Sequence, residues 1–537
     1  MRPRHRTARV SVSSGAAGLS LTPRQRLRLP RVQLVPWIVP LALLLLWQAA
    51  SHWHWMSEQV LPEPSLVWNS LLELSRDELW LHISISLQRL AWGLLGGVAS
   101  GVLLGAWMGS SRLAERLIYP TFAALAQVPT LAWVPLFMLL FGIGETLKLV
   151  VLVKAIVVPI AIHTLVGVRD AQPRLREAAA VLRLPLHLRI YRLLIPAALP
   201  SFMAGLRLAI ATGWASLLAV ELLASSEGLG YLMVWGRQLF MLDVVFVCIL
   251  IIGLFGLLFN RGIDWLDHRL VHWPHPPTAA IVRVEPGQGW QRLQPWLLPA
   301  ALLLLWQVSG NLQWLDSNLV ATPLQVLTAT WQGLADSSLT EAMALSLTRA
   351  FVGLLLGAGV GLLLGILLGL WRPARRLLGG SLSALQQIAI FAWVPLLTAW
   401  FGLGELAKVV FVSLATFFPL LIASQRGIES LSTQLHEAGQ VLRLNRRQQL
   451  LRVVLPGAAP AIFAGLRLAL IYAWLGTIGA EYFMPSDGGI GSLMIGAQQL
   501  FRMDQVMASM LLIGLTGAVI NTLGQRLEAL ATRWRHA

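Results

Sequence analysis

The chain has 537 residues, of which 56% are apolar and only 12% charged; that balance lies outside ordinary soluble composition and reads as a polytopic membrane protein. A formal charge of +16 would suit a nucleic-acid binder, but the arginines fall between long apolar runs rather than on a soluble domain, which excludes nucleic acid as a partner. The one cysteine, Cys248, sits in an apolar run and excludes both an internal disulfide and a cysteine metal cluster.

Residues 1–33 form a basic arm, with Arg2, Arg4, Arg6, Arg9, Arg24, Arg26, Arg28 and Arg31 and no acid. The apolar stretch that follows would pass for a signal peptide. It returns in mid-chain, however: PWIVPLALLLLWQ at 36–48 becomes PWLLPAALLLLWQ at 295–307, so both are read as membrane helices. The repetition is general. SLQRLAWG at 86–93 matches SLTRAFVG at 346–353, AWVP recurs at 132 and 392, FGIGE at 141 matches FGLGE at 401, and AGLRLA recurs at 204 and 464. The offset is 260 from Ser86 and Ser346 as far as Glu221 and Glu481, then 261 from Gly228 and Gly489. Matched Pro, Gly, Glu and Arg at one spacing mark a tandem duplication: repeat 1 over 34–270, a linker over 271–294, and repeat 2 over 295–537.

Each repeat holds six apolar segments of the roughly twenty residues that a helix needs to cross the hydrocarbon core. They are predicted near 36–55, 86–108, 118–141, 146–168, 202–224 and 242–262, and again near 295–314, 345–370, 379–401, 406–424, 462–484 and 505–523. The expected fold is therefore all-α, with about twelve transmembrane helices. Arginines crowd the segment 169–192 (Arg169, Arg174, Arg176, Arg183, Arg189, Arg192) and its counterpart (Arg426, Arg443, Arg446, Arg447, Arg452), which places both loops, the linker and both termini in the cytoplasm. Acid-rich segments after the first crossing of each repeat face the other side. Six crossings return the chain to its starting side, so the repeats are parallel about an axis along the membrane normal. Tryptophans at 53, 55, 80, 273, 290 and 296 fit interfacial belts.

Between the fourth and fifth crossings lie RLREAAAVLRLPLHLRIYRLLIPAALP and QLHEAGQVLRLNRRQQLLRVVLPGAAP. Both are amphipathic at helical spacing, with Leu175, Ala179 and Leu182 on one face and Leu435, Gly439 and Leu442 repeating the set. Pro185 and Asn445 interrupt them, so each is expected to be two short helices with a corner. Physics alone leaves two readings equally open: a docking surface, or a helix lying on lipid phosphates.

Glu177, Ala178, Ala179 and Pro196, nineteen residues after the glutamate, together with Glu437, Ala438 and Pro456, resemble the EAA motif of permeases in ATP-binding-cassette importers. The neighbouring LAWVPLFMLLFGIGETLKLV, FAWVPLLTAWFGLGELAKVV and AGLRLA segments look like that family's nitrate/sulfonate/taurine branch. Two departures stand out. Arg183 and Arg443 occupy the place where the family usually has glycine, six residues after the glutamate, and Gly439 replaces the motif's second alanine. The resemblance implies two coupling helices, each seated on one of two copies of a separate ATPase subunit. It also implies a periplasmic binding protein as donor, no second permease, and a bacterial inner-membrane location. No Gly-x-x-x-x-Gly-Lys-Ser/Thr run occurs, so nucleotide chemistry belongs to another polypeptide. No cofactor is implied.

Polar residues within the spans are candidates for the solute path, the alternative being helix-to-helix hydrogen bonding. These are Gln127 and Gln387 before the shared Ala-Trp-Val-Pro, Thr212 answered by Tyr472, and Ser216 answered by Gly476. Glu145 with Lys148 and Glu405 with Lys408 read as acids at a helix start with a local ion pair, or as lysines drawing anions to the mouth. Glu221 and Glu481 end the fifth helix near the outer surface, where solvation at the interface is expected, the alternative being a gate or a contact with a binding protein; Arg207 and Arg467 are expected to reach the cytoplasmic interface. A twelve-helix ion-coupled secondary transporter is the rival; it predicts membrane-centre acids or broken helices, neither of which is evident in the sequence. A membrane enzyme lacks any paired carboxylates, metal-spaced histidines or nucleophile set. The branch resemblance points to sulfonates or sulfate esters as solute, then taurine and nitrate, with pyrimidine-type vitamin precursors as a further option.

Overall fold

The computed structural model describes residues 37–169, 181–272, 292–314, 320–432, 434, 437, 441–485 and 488–533. The described residues are helical throughout, without strands. In the first repeat the helices are α1 (Ile38–His52), α2 (Pro64–Arg76), α3 (Leu79–Ser110), α4 (Arg112–Gln127), α5 (Val134–Phe141), α6 (Glu145–Arg169), α7 (Ile195–Ala224), α8 (Leu229–Gln238) and α9 (Leu242–Leu270). The second repeats the order as α10 (Gln294–Asn311), α11 (Pro323–Ala335), α12 (Ser338–Leu370), α13 (Arg372–Gln386), α14 (Val394–Phe401), α15 (Glu405–Glu429), α16 (Leu455–Phe483), α17 (Ile490–Gln499) and α18 (Met503–Ala531).

Eight helices are long and apolar enough to cross a membrane, or up to ten if each of two bent pairs counts as one span. The other two segments of each repeat, expected as plain spans, take a different form. The first helix of each repeat is not among the eight: α1 has 15 residues, about 22 Å at 1.5 Å per residue against a hydrocarbon core of about 30 Å, and α10 has 18, about 27 Å. The third segment of each repeat is broken, with a bend of 93° between α4 and α5 and of 92° between α13 and α14. In the first repeat Val128 is extended (ψ 119°) because Pro129 disfavours a helical predecessor. In the second, Ala389 stands where Pro129 would, yet it is extended too (ψ 136°). Both second arms, α5 and α14, restart on a proline, Pro135 or Pro395, in their first turn, where the missing N–H costs nothing.

Within each repeat the long helices are held by a ladder of glycines. Gly93, Gly97, Gly101 and Gly105 of α3 meet Leu152, Ile156, Ile160 and Ala161 of α6, and a methyl on Gly97 would lie 2.5 Å from Ile156. Gly353, Gly357, Gly361 and Gly365 of α12 meet Val412, Ser413, Phe417 and Leu421 of α15 in the same register. Small residues every fourth position let backbones approach where lipid offers no hydrophobic drive to association.

The repeats interlock through the broken segments. Helix α1 packs on α13 and α10 on α4; likewise α9 packs on α14 and α18 on α5. The break itself reaches across. The Gln127 carbonyl lies against Gly517 of α18 and the Gln387 carbonyl against Gly256 of α9, positions that correspond at the offset of 261. Leu131 and Ala132 enter the second repeat's core beside Trp474 and Ile478, while Ala392 and Leu396 enter the first repeat's core beside Trp214 and Leu217.

Candidate functional site

Three levels along the interface carry the polar chemistry. At the end where α7 and α16 begin, each repeat presents a corner. Glu177, Ala178, Ala179, Ala438 and Gly439 lie outside the described residues, and Glu437 is exposed. The described part begins with an exposed apolar pair: Val181 and Leu182 are 83% and 69% exposed, and Val441 and Leu442 are 82% and 69%. Arg183 and Arg443 follow in the left-handed region, at φ 47° and 48°. A side chain costs about 1–2 kcal/mol there and glycine nothing, which is the physical reason for the glycine that the resemblance leads one to expect. The next turn starts at Pro185 in one repeat, with Arg189 N–H donating to its carbonyl at 3.0 Å. In the other, Asn445 caps it by a reciprocal pair with Gln448 at 2.8 and 3.1 Å. Immediately before Pro196 and Pro456 the helix widens to a π turn, Ile190–Leu194 and Leu450–Val454. Each proline lacks an N–H and its ring crowds the carbonyl four residues back, so the ladder slips by one residue.

At the opposite end of α7 and α16 lies a pair of buried ionic clusters that sequence reasoning missed. Arg89, 4% exposed, donates through Nε and Nη2 to Glu145 at 2.9 and 2.6 Å. Its Nη1 donates to Glu221 at 2.8 Å and to the Glu227 carbonyl at 2.7 Å. Glu221, 1% exposed, also accepts from Ser86 at 2.9 Å and from the Gly230 amide at 3.0 Å. The second repeat reproduces this with Arg349, Glu405, Glu481, Ser346 and Gly491. The cluster ties α3, α6 and α7 to the turn that opens α8. Glu221 and Glu481 are therefore not solvated at the surface, as expected above, but locked inside. The local pairs do form, Lys148 with Glu145 at 2.8 Å and Lys408 with Glu405 at 3.6 Å, yet both lysines are buried and so do not stand at a mouth. Arg207 and Arg467 bond Asp264 at 2.6 Å and Asn521 at 3.2 Å.

Between these ends lie the breaks. Gln127 lines a cavity of about 90 Å³ shared with Ile471, Trp474 and Leu475 of α16 and Gly517 of α18, well below the ~300–1,000 Å³ of small-molecule sites. Tyr472, 42% exposed, is not part of its lining, and Gln387 holds the equivalent position against α9. Thr212 donates to the Leu208 carbonyl of its own helix at 2.9 Å, and Ser216 is half-buried beside it; neither is brought together with Gln127. The residue that sequence reasoning passed over is Lys154. Its ammonium donates to the Val128 carbonyl at 2.8 Å and to Thr130 at 3.3 Å, satisfying a carbonyl freed by the break, and it lies 5.7 Å from the centre of the Trp133 ring. Its counterpart is Leu414. A lone lysine inside a span was the available signal, because ionisable groups at that depth mark function.

Two arms of this chain, residues 100–272 and 361–535, match the family described as the binding-protein-dependent transport system inner membrane component. Together they cover more than half of the sequence, and the chain belongs to that family: it is a multi-pass membrane transport subunit with two family domains in tandem. It is 35% identical over 246 residues to the "Putative aliphatic sulfonates transport permease protein SsuC" of Escherichia coli, an alignment spanning 46% of this chain and 93% of that protein. The like-named protein of Bacillus subtilis is 34% identical over 263 residues, 48% of this chain and 94% of its own length. The taurine transport system permease protein TauC of Escherichia coli is 32% identical over 237 residues, 43% and 86% respectively. Each relative thus corresponds to one repeat. Broken helices and buried acids, the marks of the ion-coupled rival, are both present, but the acids are bound in arginine clusters and the family match decides against that class.

Proposed function

We propose that the chain is the whole permease of an ATP-binding-cassette importer, each repeat supplying half of the path for a small sulfonate, sulfate ester, taurine or nitrate-type anion. A periplasmic binding protein delivers the solute, and two copies of a separate ATPase subunit drive transport. The linker and both termini face the cytoplasm, on the ATPase side, and the ATP chemistry is the partner's. The observation that carries this reading is the duplicated corner: two exposed apolar pairs, Val181–Leu182 and Val441–Leu442, each followed by a left-handed arginine. Exposed apolar residues at matched places in both repeats suit a partner that is itself present twice. The docking set comprises Glu177, Ala178, Ala179, Arg183, Pro185 and Pro196 in one repeat. Its counterpart in the other is Glu437, Ala438, Gly439, Arg443, Asn445 and Pro456. The names of the sulfonate and taurine permeases supply the solute class.

The helical run His187–Ala224 has 38 residues, about 57 Å at 1.5 Å per residue. A rigid element of that length joins each corner to the ionic cluster at the far end, so movement of the corners by nucleotide-dependent closure of the ATPases reaches the outer mouth. The test is co-purification. Leu182→Asp with Leu442→Asp, and separately charge reversal at Glu177 and Glu437, are expected to abolish recovery of the ATPase while the permease stays in the membrane. Full ATPase recovery and full uptake in both double variants would overturn the coupling assignment.

A further inference from the structure

The outer end of the interface is open on one side of the pseudo-two-fold axis. A cleft of about 300 Å³ lies between the ends of α7 and α16, lined among others by Leu222, Tyr482, Val394, Thr398 and Arg237. At the corresponding place across the axis stand Gln498 for Arg237 and Met138 for Thr398, while Leu222 and Tyr482, each other's counterparts, both line the cleft. There the Gln498 amide reaches the Met138 sulfur at 3.4 Å, and Met138 and Ile495 pack on the second repeat's core. At these two positions the open cleft carries the cationic and the hydroxyl-bearing member.

The buried arginines at this end are already engaged, Arg89 by Glu145 and Glu221 and Arg349 by Glu405 and Glu481. Arg237 is half-buried and, among the described residues, enters no ion pair. Its guanidinium is permanently charged and presents a planar fork that matches two oxygens of an oxyanion. The walls beside it are apolar, so the charge is poorly screened and the cleft also accepts a short hydrocarbon chain. The Thr398 hydroxyl, which donates to the Pro395 carbonyl at 2.9 Å, adds an acceptor for an amine at the far end of such a solute.

We propose that this cleft receives the transported solute as it leaves the binding protein, with Arg237 holding the oxyanion head. The proposal rests on the importer reading above and deepens it, for it makes the entry site one-sided and places it on the first repeat's arginine. It is tested in proteoliposomes holding the chain with its ATPase and binding protein, by uptake of labelled ethanesulfonate and by ATP hydrolysis in response to the loaded binding protein. Arg237→Gln, which copies the second repeat, is expected to lower uptake about tenfold, the loss of roughly one charge-assisted contact, while the ATPase response persists. Arg237→Lys is expected to keep most of the uptake, and Gln498→Ala all of it. Uptake by Arg237→Gln within about twofold of the unaltered protein overturns the proposal, as does an ATPase response lost in parallel with uptake, which would make Arg237 a docking residue for the binding protein. Failure of the unaltered complex to carry ethanesulfonate, taurine or nitrate would overturn the solute class and the cleft's role together.

Discussion

Replacing Arg89 by methionine tests whether the buried cluster holds together the end of the first repeat opposite the corner. The substitution keeps much of the side chain's volume and removes five hydrogen bonds: two to Glu145 and one each to Glu221, the Ser225 hydroxyl and the Glu227 carbonyl. The Glu145 contacts count for little, because its side chain is 59% exposed and water replaces them. Glu221 decides the outcome. Its side chain is fully buried, and stripping one partner from a buried ion pair costs about 3–5 kcal/mol, since the remaining charge has no solvent to turn to. Ser86 and the Gly230 amide still bond it, so the lower half of that range, about 3–4 kcal/mol, is expected. Glu221→Gln keeps an acceptor for Gly230 and a group for Arg89, and should cost only about 1–2 kcal/mol. In the double variant no buried charge is left alone. The two losses should then fall short of additivity by about 2 kcal/mol, whereas independent sites add to within about 0.5 kcal/mol. Unfolding in detergent, followed by the loss of helical circular dichroism across the four members of the cycle, measures this. Additive losses, or an Arg89→Met loss below about 1 kcal/mol, would refute the reasoning.

Gly228→Ala should damage the same cluster from the backbone side. At φ 107° a side chain is strained, and its Cβ would fall on the Glu221 carboxylate, so a loss of about 2–4 kcal/mol in the same detergent assay is expected, with Gly489→Ala behaving alike. Lys154→Leu, which copies Leu414, leaves the Val128 carbonyl without its ammonium; about 1–3 kcal/mol of stability should be lost, and anion uptake should fall. Arg183→Gly relieves a left-handed side chain and should leave ATPase recovery intact or improved. Arg183→Val, β-branched at φ 47°, should lower recovery, and equal recovery in the two variants would show that the corner's conformation does not matter to docking.

The repeat, the all-α class and the place of the corners were legible because each rests on local pattern: matched residues at a fixed offset, apolar runs, arginine bias and a proline or asparagine interrupting an amphipathic stretch. The breaks were not. A bend inside an apolar run changes no residue's polarity, and although Pro129 hinted at one, Ala389 occupies the same bend in the other repeat, so packing against the opposite repeat's last span does the work. Arg89 and Arg349 stood in plain view as register marks in SLQRLAWG and SLTRAFVG. Their partners lie 56 and 132 residues further along, a separation that no local periodicity reports. Glu221 was misplaced for the same reason: a carboxylate at a helix end looks solvated until the arginine that buries it is found.

Duplication within one chain separates two kinds of constraint. Two halves that must move together need equal lengths, equal hinges and equal locks, and these are what the repeats share: the glycine ladders of α3 and α12, the bends of 93° and 92°, the corners at φ 47° and 48°, and both ionic clusters. A solute on the axis meets both halves at once and needs a given charge from only one of them. Two basic side chains of the first repeat, Lys154 at the break and Arg237 in the cleft, have no basic counterpart, for the second repeat has Leu414 and Gln498 there. A permease assembled from two identical subunits would carry each cation twice, and two such charges facing across a narrow, poorly solvated path would repel each other and hold an anion too tightly to release it. Under the role proposed for Arg237, fusion lets the path carry its charge on one side while the framework around it stays symmetric.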